Sequence, residues 1–444
     1  MDSEPLNVAY KMPQAVPTWA EPSAPLFVHL IITRVCNWSC PFCVIKNNKA
    51  GIPDVSALLA VVSKLAEAGV MDVTLFGGEP LLHPHALDVG KAIQDHGMNP
   101  GFVSNGNVRV SPKRLVKTFS QASVSIHGPE NVHDKLVGKR GAWRHAVSFI
   151  KEYVGSGGRA SVCVTVEQGN LDSFADFCAG FADEVPLVSF VVNPVIPFPG
   201  LSDALDGDQL MSFGKALANL TKALAPKQIS VTIGSPMPFC ALPPEAALIA
   251  CACHAGTIFA MADYLGNIHI CPERDTPVGN LFEKSVTDIW RENSEYGQMS
   301  TRSFVDEECK TCRAYPWCLA GCRSTRETSP TTDKRIVGKE AAERNIKAIQ
   351  ESLTDDVPAI QLEDLPQFVS IHPKVRGRAE EFGMFVVSEK GQPFALDSDG
   401  KRFFSYFLDR SFHDWLAVGQ REGFLESETT SFVRQGLHLG LFIG

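Results

Sequence analysis

The segment LFVHLIITRVCNWSCPFC, residues 26–43, sets the architecture of the N-terminal half. Its apolar run Leu26–Ile32 leads into a loop that carries Cys36, Cys40 and Cys43 in a C-x3-C-x2-C spacing. A structural zinc site usually has four protein ligands, and this loop offers no fourth Cys or His. An iron–sulfur cubane held by three thiolates keeps one iron open to an outside ligand. The spacing therefore favours such a cluster over zinc or over inert core cysteines.

Beyond that loop, short β-type runs alternate with longer helical segments. Six βα units in series predict an α/β fold, with a parallel sheet and right-handed crossovers closed as a partial (β/α)6 TIM-type barrel. The cysteine loop follows the first strand, at the edge where such barrels carry functional loops. The predicted strands are Leu26–Ile32, Asp72–Phe76, Gly101–Val103, Ala122–Ile126, Ser161–Val166 and Val188–Val192, and the predicted helices lie near residues 55–69, 85–97, 111–119, 142–154, 171–182 and 206–225.

The text CNWSCPFC resembles the cysteine motif of the radical S-adenosylmethionine (radical SAM) enzymes. The resemblance implies a [4Fe-4S] cluster on Cys36, Cys40 and Cys43, with SAM chelated to the open iron by its amino and carboxylate groups. It also implies cleavage of SAM to a 5′-deoxyadenosyl radical, driven by an external electron donor such as flavodoxin or ferredoxin. Phe42 stands where family members carry an aromatic residue against the adenine.

Two more loops resemble SAM-binding loops of the family. Gly77, Gly78 and Glu79 belong to a GGEP turn after the second strand, where the family's backbone and Glu contact the SAM amino group. Glycines also let a loop backbone approach a ligand closely. Asn105 lies in a Ser-Asn-Gly turn after the third strand, similar to a Thr-Asn-Gly turn common in the family.

The loop after the fourth strand both matches and departs from the family pattern. Ser125 stands where the family has a serine that hydrogen-bonds SAM. His127 replaces a common Asp, and Val137 occupies the place of a common Arg. Arg140 is therefore the candidate replacement for that arginine in cofactor binding.

A second cysteine-rich region spans residues 253–322, with the texts CHAGTIFAMADYLGNIHIC and CKTCRAYPWCLAGC. CxxC pairs also make zinc ribbons, which is the alternative reading. The pattern resembles the SPASM extension of radical SAM enzymes, which binds auxiliary iron–sulfur clusters. The ligands that this resemblance implies are Cys253, Cys271 and Cys322 for the first cluster, completed by Cys251 or Cys240, and Cys309, Cys312 and Cys318 for the second.

The chain departs from full SPASM domains because no cysteine follows Cys322. The second auxiliary cluster must then take an oxygen or nitrogen ligand, borrow Cys240, keep an open iron, or be absent. Pro272 follows Cys271 where anaerobic sulfatase-maturating enzymes have a catalytic Asp, which argues against that activity. No motif identifies a catalytic residue in this chain.

Composition limits the remaining possibilities. The 444 residues are 44% hydrophobic and 20% charged, as in an ordinary globular protein of two or three domains. The net charge of −9 argues against a nucleic-acid partner. The sequence has no long apolar run and no signal peptide, so we expect a cytoplasmic protein without a membrane partner. In a reducing compartment, the 13 cysteines favour metal binding over disulfides.

The C-terminal residues 365–444 contain no cysteine. A hairpin over Arg376–Val387, with turn signals at residues 389–391, and helices near 398–408, 411–419 and 426–439 predict a small winged-helix-like module. It resembles domains that recognise leader peptides by strand addition, and a structural cap is the alternative. The predicted domains are an irregular lead-in over 1–25, the radical SAM barrel over 26–235, the SPASM domain over 236–330, a linker with a surface helix over 331–364 and the module over 365–444.

The resemblance implies an oxidoreductase that abstracts hydrogen from a peptide side chain and so crosslinks or oxidises a ribosomally made precursor peptide. Its leader would bind the C-terminal module. The alternative is a radical SAM enzyme that acts on a small metabolite and uses the module as a lid. A non-enzymatic iron–sulfur or zinc scaffold is a third possibility, which the SAM-loop residues disfavour.

Overall fold

A computed structural model of the protein has two folding units, one containing Ser23–Gln350 and the other Glu351–Gly444. None of its described helices is both long and apolar enough to cross a membrane. The structure describes residues 21–45, 51–196, 204–247, 249–250, 252–274, 276–292, 305–322, 324, 335–353, 368–373, 375–388, 393–398, 401, 404, 410–411, 417, 420–421, 429, 433, 436–437 and 441–443.

The first unit is built on a ten-stranded sheet in the order β10-β9-β8-β1-β2-β3-β4-β5-β6-β7. Strands β1 to β7 run parallel, and β8 pairs in parallel with β1 on the other side. Strands β9 and β10 are antiparallel additions to β8. The strands are β1 Phe27–Thr33, β2 Asp72–Gly77, β3 Asn99–Ser104, β4 Gln121–Ser125, β5 Ala160–Val166, β6 Ser189–Pro194, β7 Ser230–Thr232, β8 Phe259–Asp263, β9 Asn267–His269 and β10 Gly279–Asn280.

Helices connect successive parallel strands and cover one face of the sheet. Their apolar sides form one core with the strand residues that point toward them, such as Val162 and Val164 of β5. Residues of alternate register, such as Cys163 and Thr165, point to the opposite, inner face of the barrel because side chains alternate along a strand. The helices are α1 Val55–Glu67, α2 Ala86–Asp95, α3 Pro112–Leu115, α4 Glu130–Leu136, α5 Ala142–Gly155, α6 Phe174–Glu184, α7 Gly207–Leu224, α8 Pro244–Ala247, α9 Val286–Glu292, α10 Glu307–Lys310, α11 Tyr315–Cys318 and α12 Lys339–Leu353.

The partial (β/α)6 barrel and the six predicted strands are confirmed, and every strand end lies within two residues of its prediction. The helix predicted over residues 111–119 is limited to α3, because the chain turns after Leu115 and Phe119 enters the core before β4. The sequence analysis did not find β7 to β10. The pairing of β8 with β1 joins the cysteine-rich region to the same sheet as the barrel.

The second unit contains two antiparallel three-stranded sheets in its described part. The predicted hairpin consists of β12 and β13, and β14 extends it on the far side of β13. The predicted turn at 389–391 and most residues of the three predicted helices lie outside the described residues, so the winged-helix-like module is not confirmed. The strands are β11 Phe368–Ile371, β12 Arg376–Glu380, β13 Gly383–Val387, β14 Pro393–Asp397, β15 Arg410–Ser411 and β16 Phe442–Ile443.

Candidate active site and cluster-binding sites

The cysteine loop leaves the C-terminal end of β1 and brings three thiols together. A turn closes between Cys40 and Cys43, whose N–H donates to the Cys40 carbonyl at 3.1 Å. Burial, with the neighbouring Cys43 and Cys36 thiols, raises the pKa of Cys40 to about 12. Burial also raises the pKa values of Cys36 and Cys43. Grouped and desolvated thiols of this kind become thiolates when a cation compensates their charge, so the loop fits a three-thiolate cluster site.

Buried side chains at the end of α4 and the start of α5 support the cysteine loop. Trp38 packs with Val137 and Ala142 in a small apolar cluster that also contacts Cys36 and Cys40. The position where the family has an arginine is therefore filled by an apolar residue that packs under the loop. Arg140 is exposed, and among the described residues its side chain has no ion pair or hydrogen bond.

Asn105, from the loop after β3, reaches the cysteine loop directly. Its amide Nδ2 donates to Asn37 Oδ1 at 2.7 Å and lies 3.9 Å from Cys36 Sγ. Asn37 in turn donates to the Asn107 carbonyl at 2.6 Å. Asn105 is thereby placed beside the first cysteine.

Gly77 and Gly78 lie in close contact with the backbone that leads to Cys36. A Cβ at Gly77 would lie 2.2 Å from the Thr33 carbonyl oxygen, and one at Gly78 would lie 2.3 Å from that of Val35. The Gly78 N–H also donates to the Thr33 carbonyl at 2.9 Å. In the structure, the missing Cβ atoms make room for the protein's own cysteine loop.

Glu79 is buried, and its carboxylate joins two loops. It accepts hydrogen bonds from the Leu81 N–H at 3.0 Å, the Ser104 hydroxyl at 3.0 Å and the Asn105 N–H at 2.7 Å. Burial raises the pKa of Glu79 to about 7, although these three hydrogen bonds act in the opposite direction. The carboxylate that resembles a SAM contact therefore also fixes the position of Asn105.

At the end of β4, Ser125 is half-buried, and among the described residues its hydroxyl has no hydrogen-bond partner. The neighbouring His127 ring meets Phe42 edge to face, with ring centroids 5.2 Å apart. The Thr165 N–H donates to His127 Nδ1 at 3.0 Å, so the neutral ring carries its proton on Nε2. Burial lowers the pKa of His127 to about 3, with a smaller contribution from His133. His127 is thus a neutral N–H donor beside the predicted adenine contact.

Three cysteines of the first auxiliary group are buried and close together. Burial, Glu273 and the thiols of Cys253 and Cys322 raise the pKa of Cys271 well above its usual range. The Cys271 thiol also lies 3.5 Å from the Ser324 hydroxyl. Cys251, one of the two candidates for the fourth ligand, lies outside the described residues.

The second auxiliary group lines a small cavity that is partly open to solvent. Cys309, Cys312 and Cys318 line this cavity, and Cys240 lines it as well. Burial raises the pKa of Cys318 to about 11, and Cys240 contributes to that increase. The sequence analysis named Cys240 but did not decide which cluster it serves.

A buried acid and imidazole lie on β8 and β9, shortly before Cys271 in the chain. Asp263, at the end of β8, has Oδ2 at 3.6 Å from His269 Nε2, and both side chains are almost fully buried. Asp263 also accepts hydrogen bonds from the Leu265 and Asn267 N–H groups, at 2.9 and 3.0 Å. The sequence analysis did not single out Asp263, although the turn that it caps, DYLG, is a usual place for an Asp.

Comparison with known proteins identifies both parts of the first unit. Residues 30–178 match the radical SAM superfamily, and residues 253–313 match the SPASM iron–sulfur cluster-binding domain. The chain therefore contains a radical SAM domain followed by a SPASM domain. Its cofactors are a [4Fe-4S] cluster with SAM and auxiliary iron–sulfur clusters.

The chain has several distinct relatives. It is 31% identical over 157 residues to the sporulation killing factor maturation protein SkfB of Bacillus subtilis, covering 34% of this chain and 38% of SkfB. It is 22% identical over 327 residues to the AdoMet-dependent heme synthase of Nitratidesulfovibrio vulgaris, covering 66% of this chain and 86% of that protein. Its fold is similar to that of Streptococcus suis SuiB bound to S-adenosylmethionine, with a TM-score of 0.60 and 17% identity over 70% of this chain and 77% of SuiB.

Proposed function

We propose that this enzyme abstracts a hydrogen atom from a side chain of a ribosomally made precursor peptide and so forms a crosslink or oxidises the side chain. The observation that carries the proposal is the presence of the open three-cysteine loop and two auxiliary cysteine groups in one folding unit. The names of two relatives add support, since SkfB is a maturation protein and SuiB has been solved with the precursor peptide SuiA.

When bound, the cluster and SAM supply a 5′-deoxyadenosyl radical. The protein's own residues would position SAM and exclude water. Asn105 and the loop of Gly77 and Gly78 hold the cysteine loop in place, while Ser125 and the Nε2–H of His127 are available to bind SAM. The peptide would lose one hydrogen atom to this radical, and then one proton to solvent and one electron. Clusters held by the two auxiliary cysteine groups would supply the acceptor for that electron.

The inner face of the barrel is suited to a confined substrate. The His29 ring stacks on Phe76 and meets Phe259 edge to face, with ring centroids 4.8 Å apart in both pairs. Burial lowers the pKa of His29 to about 4, so the ring stays neutral. An aromatic and uncharged wall of this kind would keep a radical away from water.

The second unit would bind the leader part of the peptide. In the described sheet of β12, β13 and β14, the central strand is β13, which leaves one edge on β12 and one on β14. An extended peptide can add to such an edge through main-chain hydrogen bonds. The reducing electron for SAM cleavage would come from an external donor such as flavodoxin or ferredoxin.

The test uses full-length, anaerobically reconstituted enzyme with SAM, dithionite and a synthetic candidate precursor peptide. We expect 5′-deoxyadenosine together with a peptide whose mass has fallen by a pair of hydrogen atoms, detected by chromatography and mass spectrometry. Hydrogen exchange should show slower exchange of β12 or β14 amides when the leader is added. Deoxyadenosine without any peptide mass change would contradict the proposal.

A metabolite substrate is the second candidate, because the match to the heme synthase extends over 86% of that protein. Porphyrin precursors of heme, with iron already inserted, are the probes for this candidate. Their conversion, with no peptide modified and no leader-dependent protection in the second unit, would favour that candidate.

A further inference from the structure

Four thiols line the cavity of the second auxiliary group. Cys309, Cys312 and Cys318 supply three of them, and the fourth belongs to Cys240. Cys240 reaches the cavity from a short helical turn, Phe239–Ala241, which precedes the whole SPASM cysteine pattern in the chain. The rest of the lining is largely apolar, with Phe239, Ala314 and Ile336 among its residues. A closed set of four thiolates in a mainly apolar cavity is typical of a fully ligated iron–sulfur cluster.

Backbone N–H groups point at two of the sulfurs. The Val337 N–H donates to Cys240 Sγ at 3.3 Å, and the Phe239 N–H donates to Cys318 Sγ at 3.2 Å. N–H···S hydrogen bonds favour thiolates and tune the potential of a bound cluster. The turn that carries Cys240 thus contributes one sulfur to the cavity and one donor to a second sulfur.

The position of the Cys240 turn is fixed by residues far along the chain. Asn345, on the buried face of α12, donates to the carbonyls of Phe239 and Leu242 at 3.0 and 2.8 Å. Arg335 donates to the Pro236 carbonyl at 2.9 Å. These hydrogen bonds fix the backbone at both ends of the turn and so hold Cys240 at the cavity.

An oxygen ligand is the competing possibility among the described lining residues. Glu308 lines the cavity, but it is exposed, and its Oε1 accepts a hydrogen bond from the Lys339 N–H at 2.9 Å at the start of α12. A soft thiolate is also the better ligand for cluster iron than a carboxylate.

We propose that Cys240 is the fourth ligand of the second auxiliary cluster, in place of the downstream cysteine that this chain lacks. The second cluster then has no open iron and is suited to electron transfer. Cys240 is no longer available to the first cluster, which must be completed by Cys251, by another group, or by an outside ligand.

The test is made in a full-length Cys36/Cys40/Cys43→Ala background, because the SAM cluster has an open iron of its own. Anaerobically reconstituted protein is oxidised with ferricyanide, without SAM or peptide. A cubane with only three thiolates passes one electron to ferricyanide, releases one Fe2+ and leaves a [3Fe-4S]+ cluster visible by EPR. We expect Cys240→Ala either to add about one such cluster per chain or to lose about four irons.

Cys309→Ala is the positive control from the same cavity, Cys253→Ala marks the first cluster, and Cys163→Ala is a matched control outside both groups. Circular dichroism checks the fold of each variant. A Cys240→Ala protein with the iron content and EPR spectrum of its background would overturn the proposal. So would a change in the same EPR component that Cys253→Ala alters.

Cys240→Ser keeps the shape of the side chain and serves as a second variant if alanine disturbs folding. We expect the reduction potential of one auxiliary cluster to shift while the other stays constant, because an oxygen ligand replaces a thiolate. Two unchanged potentials would contradict the proposal. These readouts need no substrate, so they stand whether or not the enzyme modifies a peptide.

Discussion

The carboxylate of Glu79 links the loop after β2 to the loop after β3. A glutamine at this position has one acceptor oxygen, and its NH2 group would face a donor. We therefore expect Glu79→Gln to lower the free energy of unfolding by about 1–3 kcal/mol, the cost of a buried unsatisfied group. Because Asn105 would also shift, formation of 5′-deoxyadenosine should slow.

Thermal unfolding and a deoxyadenosine assay measure the two effects. Glu152→Gln, on an exposed site of α5, is the control and should change neither. A Glu79→Gln protein that matched the wild type in both assays would show that the carboxylate is not needed to hold the loops.

His29 makes the stability of the barrel depend on pH. Its folded pKa of about 4 lies below the ordinary value of 6.5, so between these values only the unfolded chain binds the proton. Stability therefore falls as pH drops from 6.5 toward 4, by up to about 1.4 kcal/mol per pH unit for this group. His29→Phe removes the titration and keeps an aromatic ring.

We expect the loss of melting temperature between pH 7 and pH 5 to be smaller in His29→Phe than in the wild type. It should not vanish, because burial also lowers the pKa values of His127 and His133 to about 3 and about 4. His145→Asn, an exposed site, should leave the loss unchanged. An equal loss in His29→Phe and wild type would mean that His29 is already accessible to protons.

The packing of the GGEP turn on the cysteine loop is a contact between two elements. An added methyl at Gly78 would meet the Val35 carbonyl at 2.3 Å, and backbone cannot yield as a flexible side chain can. We expect Gly78→Ala to displace the cysteine loop and to lose up to about four irons per chain. Iron analysis of reconstituted protein measures this loss.

Gly180→Ala is the matched control, because Gly180 lies in α6 with nothing within 4 Å of an added Cβ. Alanine there should keep the full iron content and add up to about 1 kcal/mol of stability. Full iron content in Gly78→Ala would show that the loop tolerates the methyl group.

The elements that the sequence predicted are those with a regular local pattern. In β5, residues of alternating burial, such as Val162, Cys163 and Val164, follow a pattern that predicts a strand from the local sequence alone. The three-residue β7 and the short β8 carry too little pattern to be recognised. Their positions depend on pairing with β6 and β1, which no local window contains.

The candidate site, too, could be predicted only in part from the sequence. Cys36, Cys40 and Cys43 are close in sequence, so their spacing alone predicted a shared site. Cys240 lies far before Cys309, and only the fold brings it to the same cavity. The hydrogen bond between Glu79 and Asn105 could not be predicted either. Each residue was identified from its own motif, but no motif indicates that the two are in contact.

At the scale of the whole molecule, one folding unit holds the loop of Cys36, Cys40 and Cys43, proposed to bind the SAM cluster, and the two groups proposed to bind auxiliary clusters. Three cubanes would give about twelve irons per chain. The cysteine loop packs against the end of α4 and the start of α5, whereas the first auxiliary group packs with Phe259 of β8 and the second lines its own cavity, so their ligand sets share no residue. Clusters with separate ligands should be lost independently.

We therefore expect the Cys36/Cys40/Cys43→Ala variant to lose about four irons, to stop cleaving SAM and to keep the EPR signals of the auxiliary clusters. Cys178→Ala, which removes a thiol of α6 in the core between helices and sheet, outside all three groups, should change none of these. Loss of every iron from the triple variant would mean that the auxiliary groups fold only around an occupied cysteine loop. Zinc in place of iron would contradict cluster chemistry in all three groups, because zinc has no redox change with which to cleave SAM or accept an electron.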